Sequence, residues 1–173
     1  ALAETVENNG WVTFIPALAG LGAPYWDSKA TGSILGITRG TNKGHIARAA
    51  LEAIALRVRE IVIEMQKDAN TTFKTLKVDG GASNNNLLMQ IQADLLKAEV
   101  IRPQTTETTA LGAAFFAGLA TGFWESVESL ATIWTVDKQF SPNSNSDTEV
   151  LINGIELYGI KEMLNKKWFW RTI

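Results

Sequence analysis

Lys77-Val78-Asp79-Gly80-Gly81-Ala82-Ser83-Asn84-Asn85-Asn86 is the run on which the fold turns. A β-branched segment reaches an acidic residue and a pair of glycines, then opens onto a helix with amides at its start. Glycine at such a strand-to-helix turn lets main chain pass close to a bound group, because no Cβ stands in the way. The first N–H groups of the following helix have no intrahelical partner and favour phosphate or a polar base. The same run also fits a plain tight turn with Asn as helix cap. No GxxxxGK[ST] phosphate loop occurs in the chain.

Working outward, the spacing predicts a strand over 74–79 and a helix over 84–97 that buries Leu87, Leu88, Ile91 and Leu95. Glu99-Val100-Ile101-Arg102 reads as the next strand, closed by Pro103. Thr106 or Thr108 then offers a cap for a further helix. Its expected inner face is Ala110, Gly112, Ala113, Ala114, Ala117 and Gly118, small residues that admit a close neighbour. Residues 125–132 read as a short helix, 141–147 as a solvated loop, and 148–167 as a final surface helix. Trp168-Phe169-Trp170 follows as an aromatic cluster.

Upstream, Trp11-Val12-Thr13-Phe14-Ile15 reads as a strand ended by Pro16. Gly20-Leu21-Gly22-Ala23-Pro24-Tyr25-Trp26-Asp27 is a glycine-rich loop bearing two large aromatics, and Ser33–Ile37 is a short apolar run. Residues 43–69 carry Ile46, Ala50, Ala53, Ile54, Val58, Ile61 and Met65 at threes and fours, the mark of an amphipathic helix. Glu60 and Glu64 form a like-charge pair four apart, partly offset by Lys67. Strands alternating with helices imply an α/β layered domain with a partly parallel sheet. Ligands of such sheets sit beyond the carboxyl ends of the strands, where Asp79-Gly80-Gly81 would lie.

The 173 residues suffice for one domain or a large piece of one, and 46% hydrophobic content is ordinary for a buried core. A net charge of −2 gives no reason to expect a nucleic-acid or anionic-membrane partner. No apolar run reaches transmembrane length. Cysteine is absent, which rules out disulfides and thiol chemistry and suits a reducing compartment. The chain starts Ala1-Leu2-Ala3 without a Met and reads as cut from something longer. His45 is the lone histidine and has no ligand at metal spacing, so a structural or surface role is expected rather than catalysis. Ser33, Ser83 and Thr108 have no histidine partner for nucleophilic chemistry. Asp79 fits either a magnesium-ordering carboxylate or a turn carboxylate bonded to main chain, and Asp27 reads as a turn former. No base, nucleophile or metal cluster accompanies the glycine turn.

Taken together these motifs resemble the C-terminal part of glycerol kinases, in the FGGY family of carbohydrate kinases. Gly20–Asp27 resembles the family's GLGAPYWD loop. Gly32–Gly40, His45-Ile46 and Ala50-Leu51-Glu52 resemble its second signature. Val78–Ala82 with Asn85 and Asn86 resembles its adenosine motif, and Thr109–Ala114 with Gly118–Ala120 extends the likeness. The resemblance implies an actin-like, ribonuclease-H-like ATPase domain fragment: α/β, a mixed sheet with flanking helices, its first antiparallel strands missing. Residues 1–173 would be the partial C-terminal nucleotide-binding domain of a two-domain kinase. Such kinases use ATP and Mg2+ to phosphorylate glycerol. By motif match, the Gly81 backbone contacts the nucleotide phosphate region and Asn85 the adenine end. Asp79 and Gly80 shape the turn, and Ala82 lines it. The resemblance gives this chain no catalytic residue and no metal ligand, because the family's aspartate base and acceptor pocket lie upstream. It implies a cytoplasmic enzyme, a homo-oligomer, and an isolated chain that is inactive. Two alternatives remain open: another sugar or polyol kinase such as a xylulokinase, and a non-catalytic actin-like assembly or nucleotide-binding module.

Overall fold

Three strands frame the glycine turn. β3 (Thr75–Lys77), β4 (Glu99–Pro103) and β5 (Val136–Phe140) form a sheet in that order. The structure, a computed structural model, describes residues 2–144 with Thr148 and Ile152. Those two positions aside, the expected helix over 148–167 lies outside the described residues, as does the Trp168-Phe169-Trp170 cluster. The described residues fall into two compact units, one running up to Thr71 and one spanning Thr72–Ser144.

In the first unit, β1 (Thr13–Ile15) pairs antiparallel with β2 (Ser33–Leu35), Thr13 opposite Leu35 and Ile15 opposite Ser33. β1 is shorter than the expected 11–15 because Trp11 takes a left-handed φ of 65° and its N–H turns to the Asn9 side chain at 3.0 Å. Ile15, Ala17 and Leu21 form a small core against which Tyr25, Ala30 and Leu35 pack.

α1 (Lys43–Asp68) begins at a capping box. The Asn42 side chain accepts from the N–H groups of Gly44 and His45, and His45 Nδ1 accepts from the Asn42 N–H at 3.1 Å. The lone histidine is thus a helix cap. The buried side of α1 carries Ala49, Glu52, Ala53, Ala55, Leu56 and Val62. This corrects the expected stripe: Ile54, Ile61 and Met65 are 42, 41 and 52% exposed. Both sides of α1 are apolar, and the side with the smaller residues is the one that packs against β1 and the 3-10 turn Leu2–Thr5.

In the second unit, β3 runs parallel to β4, with Thr75 opposite Glu99 and Lys77 opposite Ile101. α2 (Asn86–Leu96) connects them and buries Leu88, Met89, Ile91, Gln92, Ala93 and Leu95. It stops at Lys97, which adopts a left-handed φ of 52°. β5, which the sequence pattern did not suggest, pairs antiparallel with β4, and the register shifts between Arg102 and Pro103. Pro103 has no N–H to give the ladder, so an irregularity is where it is tolerated. The sheet is therefore mixed and flanked by helices, as the α/β expectation required.

α3 (Thr108–Ala120) departs from expectation at its start and on its inner face. Its N-cap is Glu107, with no side-chain cap bond. The Thr108 hydroxyl donates to Asp79 instead. Ala110, Ala113, Ala114 and Ala117 are exposed, and only Gly118 is buried. A Cβ at Gly118 would lie 2.1 Å from the Trp124 ring, so the close approach at this glycine is to the segment just after the helix. α4 (Val127–Leu130) is a single turn capped by Ser126.

Candidate functional site: the glycine turn after β3

The residues singled out in sequence lie together at the carboxyl end of a parallel strand. The Val78 N–H donates to the Ile101 carbonyl at 3.0 Å, extending the β3–β4 pairing by one step. Asp79 then leaves the sheet, and its Oδ2 accepts from the Thr108 hydroxyl. The Gly80 N–H donates to the Thr106 carbonyl at 2.8 Å. These bonds join the loop after β3 to the loop after β4.

Gly80 sits at φ 78°, ψ 168°, a conformation that side chains disfavour. Gly81–Asn84 then forms a 3-10 turn. Ser83 closes it from inside, with its N–H and Oγ both donating to the Gly80 carbonyl at 3.1 and 2.7 Å. On the outside, among the described residues and apart from the adjoining chain, no atom lies within 4 Å of where a Cβ on Gly80 or Gly81 would stand. Gly81 and Ala82 are exposed. The turn thus presents bare main chain to its surroundings while its interior is bonded.

Asn85 is the N-cap of α2, with Oδ1 accepting from the Leu88 N–H at 3.1 Å. The cap uses the carbonyl end of the amide. Sequence reasoning missed Arg102 and Asp137, which lie behind the turn. Arg102 NH1 donates to the Ser83 carbonyl at 2.8 Å, and Arg102 Nε donates to Asp137 Oδ2 at 2.8 Å. An arginine closing a buried strand was the available signal. Its partner on β5 left none.

The second motif, Gly20–Asp27, folds on itself through paired main-chain bonds between Leu21 and Asp27 at 2.7 and 2.9 Å. Asp27 Oδ1 accepts from the Lys29 N–H at 2.8 Å, the turn-forming role expected of it. The Tyr25 hydroxyl donates to Glu60 at 2.9 Å. Arg57 pairs with the same carboxylate, donates to the Ala23 carbonyl at 2.9 Å, and lies over the Tyr25 ring. Glu60 is therefore satisfied from its own loop and helix, and the expected repulsion from Glu64 is outweighed. Burial first, and then the hydrogen bond to Glu60, raise the Tyr25 phenol to about 12. Trp26 and Leu18 remain 79 and 82% exposed.

Among the described residues, no group of three or more His, Cys, Asp and Glu side chains converges, and no helix is long and apolar enough to cross a membrane.

Residues 1–121 match the C-terminal domain of the FGGY family of carbohydrate kinases. A glycerol kinase from Janthinobacterium sp. (strain Marseille) is 59% identical over 147 residues, which is 85% of this chain and 30% of that protein. The crystal structure of a Plasmodium falciparum glycerol kinase with ADP superposes with a TM-score of 0.77 at 32% identity, covering 97% of this chain and 33% of its own. A ligand-bound xylulose kinase from Lactobacillus acidophilus gives 0.75 at 26% identity, covering 95% and 33%. The chain thus spans about a third of the length of the proteins it matches. With an actin-like α/β frame, the glycine turn, and a family match over most of its length, the chain belongs to the FGGY family of carbohydrate kinases and carries residues of its C-terminal domain.

Proposed function

We propose that this chain is the partial nucleotide-binding domain of a two-domain, ATP-dependent glycerol kinase, and that residues 79–85 seat the nucleotide. The observation that carries this is the bare turn at Gly80 and Gly81, open outward and bonded inward at the end of β3. In this reading the Gly81 main chain meets the phosphate region. Asn85 Nδ2 faces the adenine end, Asp79 and Gly80 hold the turn's shape, and Ala82 lines it.

Phosphoryl transfer depends on positioning and on electrostatic stabilisation more than on covalent chemistry by the protein. The chain's contribution is to hold the donor still. The alcohol acceptor and the base that takes its proton are supplied by other residues of the longer protein, so this chain alone is inactive. Magnesium would arrive with ATP and neutralise phosphate charge. Asp79 is the one carboxylate in the turn, with Oδ2 already accepting from Thr108, so it fits a contact through ordered water better than a protein cage. The enzyme is cytoplasmic and assembles as a homo-oligomer.

Glycerol is chosen over a pentulose on the 59% identity to a glycerol kinase. The xylulose kinase likeness keeps the second acceptor class in contention. Two assays on the full-length protein test the proposal. Calorimetry with ATP should show binding that Gly81→Val weakens, and turnover of glycerol should exceed that of xylulose. Unchanged ATP affinity in Gly81→Val removes the proposed seat. Faster xylulose turnover removes the proposed acceptor.

A further inference from the structure

We infer that Arg102 is a positioning residue for the nucleotide, its buried guanidinium fixing the main chain of the Gly80–Asn86 turn from behind. The inference rests on the proposed role of that turn. Arg102 is only 8% exposed, on the central strand β4. A buried cation is costly unless every donor is engaged, and here the planar fork is filled on several sides. Nε donates to Asp137 Oδ2 at 2.8 Å, and NH2 lies 2.7 Å from the same oxygen. NH1 donates to the Ser83 carbonyl at 2.8 Å and to Asn86 Oδ1 at 3.0 Å. The Phe140 ring lies under the guanidinium at 5.6 Å.

The two NH1 contacts are what tie this cluster to the site. Ser83 is the inner wall of the turn and is 2% exposed, so removing Arg102 takes a partner from a buried carbonyl. Ser83 in turn grips the Gly80 carbonyl through Oγ and N–H. Asn86 opens α2, directly after the capping residue Asn85. One rigid group therefore sets both ends of the turn: Gly80 through Ser83, and the start of α2 through Asn86. A short 3-10 turn has weak internal bonding and a flexible glycine pair, so its outward main chain is only as well placed as this inner anchor. Asp137 neutralises the cation and orients the fork. A lysine would keep the charge and lose the fork.

The test compares Arg102→Met, Arg102→Lys, Asp137→Asn and Gly81→Val in the full-length protein, by calorimetry with ADP and by the KM for ATP and for glycerol. The expected result is ADP binding weakened, and ATP KM raised, by about tenfold to a hundredfold in both Arg102 variants. The glycerol KM should stay within about twofold. Asp137→Asn should move the same quantities in the same direction by less. If Arg102→Met does not fold, the lysine and asparagine variants decide. Folded variants that bind ADP as the parent does overturn the inference, and so does a parallel rise in both KM values, the mark of a generally loosened protein. If Gly81→Val weakens ADP binding while the Arg102 variants do not, the seat stands and Arg102 loses its role. If none of the variants affects ADP, the seat itself fails and the inference falls with it.

Discussion

The Tyr25 hydroxyl donates to Glu60 Oε1 at 2.9 Å across 35 residues of sequence, joining the tip of the Gly20–Asp27 loop to α1. Arg57 completes the contact by pairing with Glu60 and holding the Ala23 carbonyl. The loop is therefore clamped at two points by side chains one turn apart on a helix. Tyr25→Phe keeps the ring beneath Arg57 and removes one bond to a charged group. Denaturant unfolding should show a loss of about 1.5 kcal/mol, the low end for such bonds because the site is only part-buried. Arg57→Ala should cost more, because it also frees the Ala23 carbonyl and leaves Glu60 with one partner. A smaller loss for Arg57→Ala than for Tyr25→Phe would contradict this order.

Glu52 should give a pH signature of definite sign. It is 3% exposed, with Arg48 donating to Oε1 and Asn9 to Oε2, each at 2.8 Å. Burial is the largest cause acting on it and lifts its carboxyl above 4.5, outweighing Arg48 and Asn9. The folded chain then keeps a proton that the unfolded chain has already lost. Stability contributed by this group is present below 4.5 and declines as pH rises through the folded value. Glu52→Gln does not titrate. Parent stability minus variant stability, followed by unfolding titrations upward from the ordinary carboxylate range, should therefore fall and then level off. A difference that rises with pH would show that the Arg48 pair dominates instead.

At the glycine turn, strain and ligand contact should separate. Gly80→Ala must hold φ 78° with ψ 168° and should lose about 1–3 kcal/mol of stability. Gly81 carries no such φ, and open space surrounds its Cβ position, so Gly81→Ala should leave the unfolding midpoint near that of the parent. A large destabilisation by Gly81→Ala would mean that the turn is tighter than its geometry indicates.

Asn85 allows a comparable separation on one side chain. Asn85→Ala removes the α2 cap and should cost about 1 kcal/mol. Asn85→Asp preserves the acceptor that Leu88 uses and loses the Nδ2 donor. Stability should hold in the aspartate variant while nucleotide affinity falls. Unchanged affinity would confine Asn85 to capping.

Gly118→Ala tests the one buried position of α3. Its methyl would stand 2.1 Å from the Trp124 ring, so the aromatic must move. A loss of about 1–3 kcal/mol is expected from thermal unfolding. A neutral result would mean that Trp124 shifts freely.

The parts of this fold that were legible are those written in local chemistry. Asp79-Gly80-Gly81 marks its own turn, the amides that follow it include the cap of α2, and the long periodicity over 43–69 gives α1 almost to the residue. The buried side of α1 was not legible, because isoleucines on one side and alanines on the other compete. Bulk favoured the first, and close packing selected the second. β5 was hidden for another reason. Val136-Asp137-Lys138-Gln139-Phe140 lacks an apolar alternation, and it is held by main-chain pairing to β4 and by the Arg102–Asp137 bridge. Charged, short strands are how sheet edges are usually finished, so its sequence resembles a loop. The α3 stripe failed for a third reason: small residues announce that something comes close, without naming the neighbour.

The position of β5 has a bearing on how the protein is made. Gly80 and Gly81 leave the ribosome more than fifty residues ahead of Asp137, so the nascent chain holds the glycine turn before the strand that braces it exists. Until residue 140 emerges, Arg102 has no counter-charge and β4 has one unpaired side. A chain that ends just before Val136 would therefore carry one open side of β4 and an uncompensated Arg102, and extending it through Phe140 should make it more resistant to proteolysis.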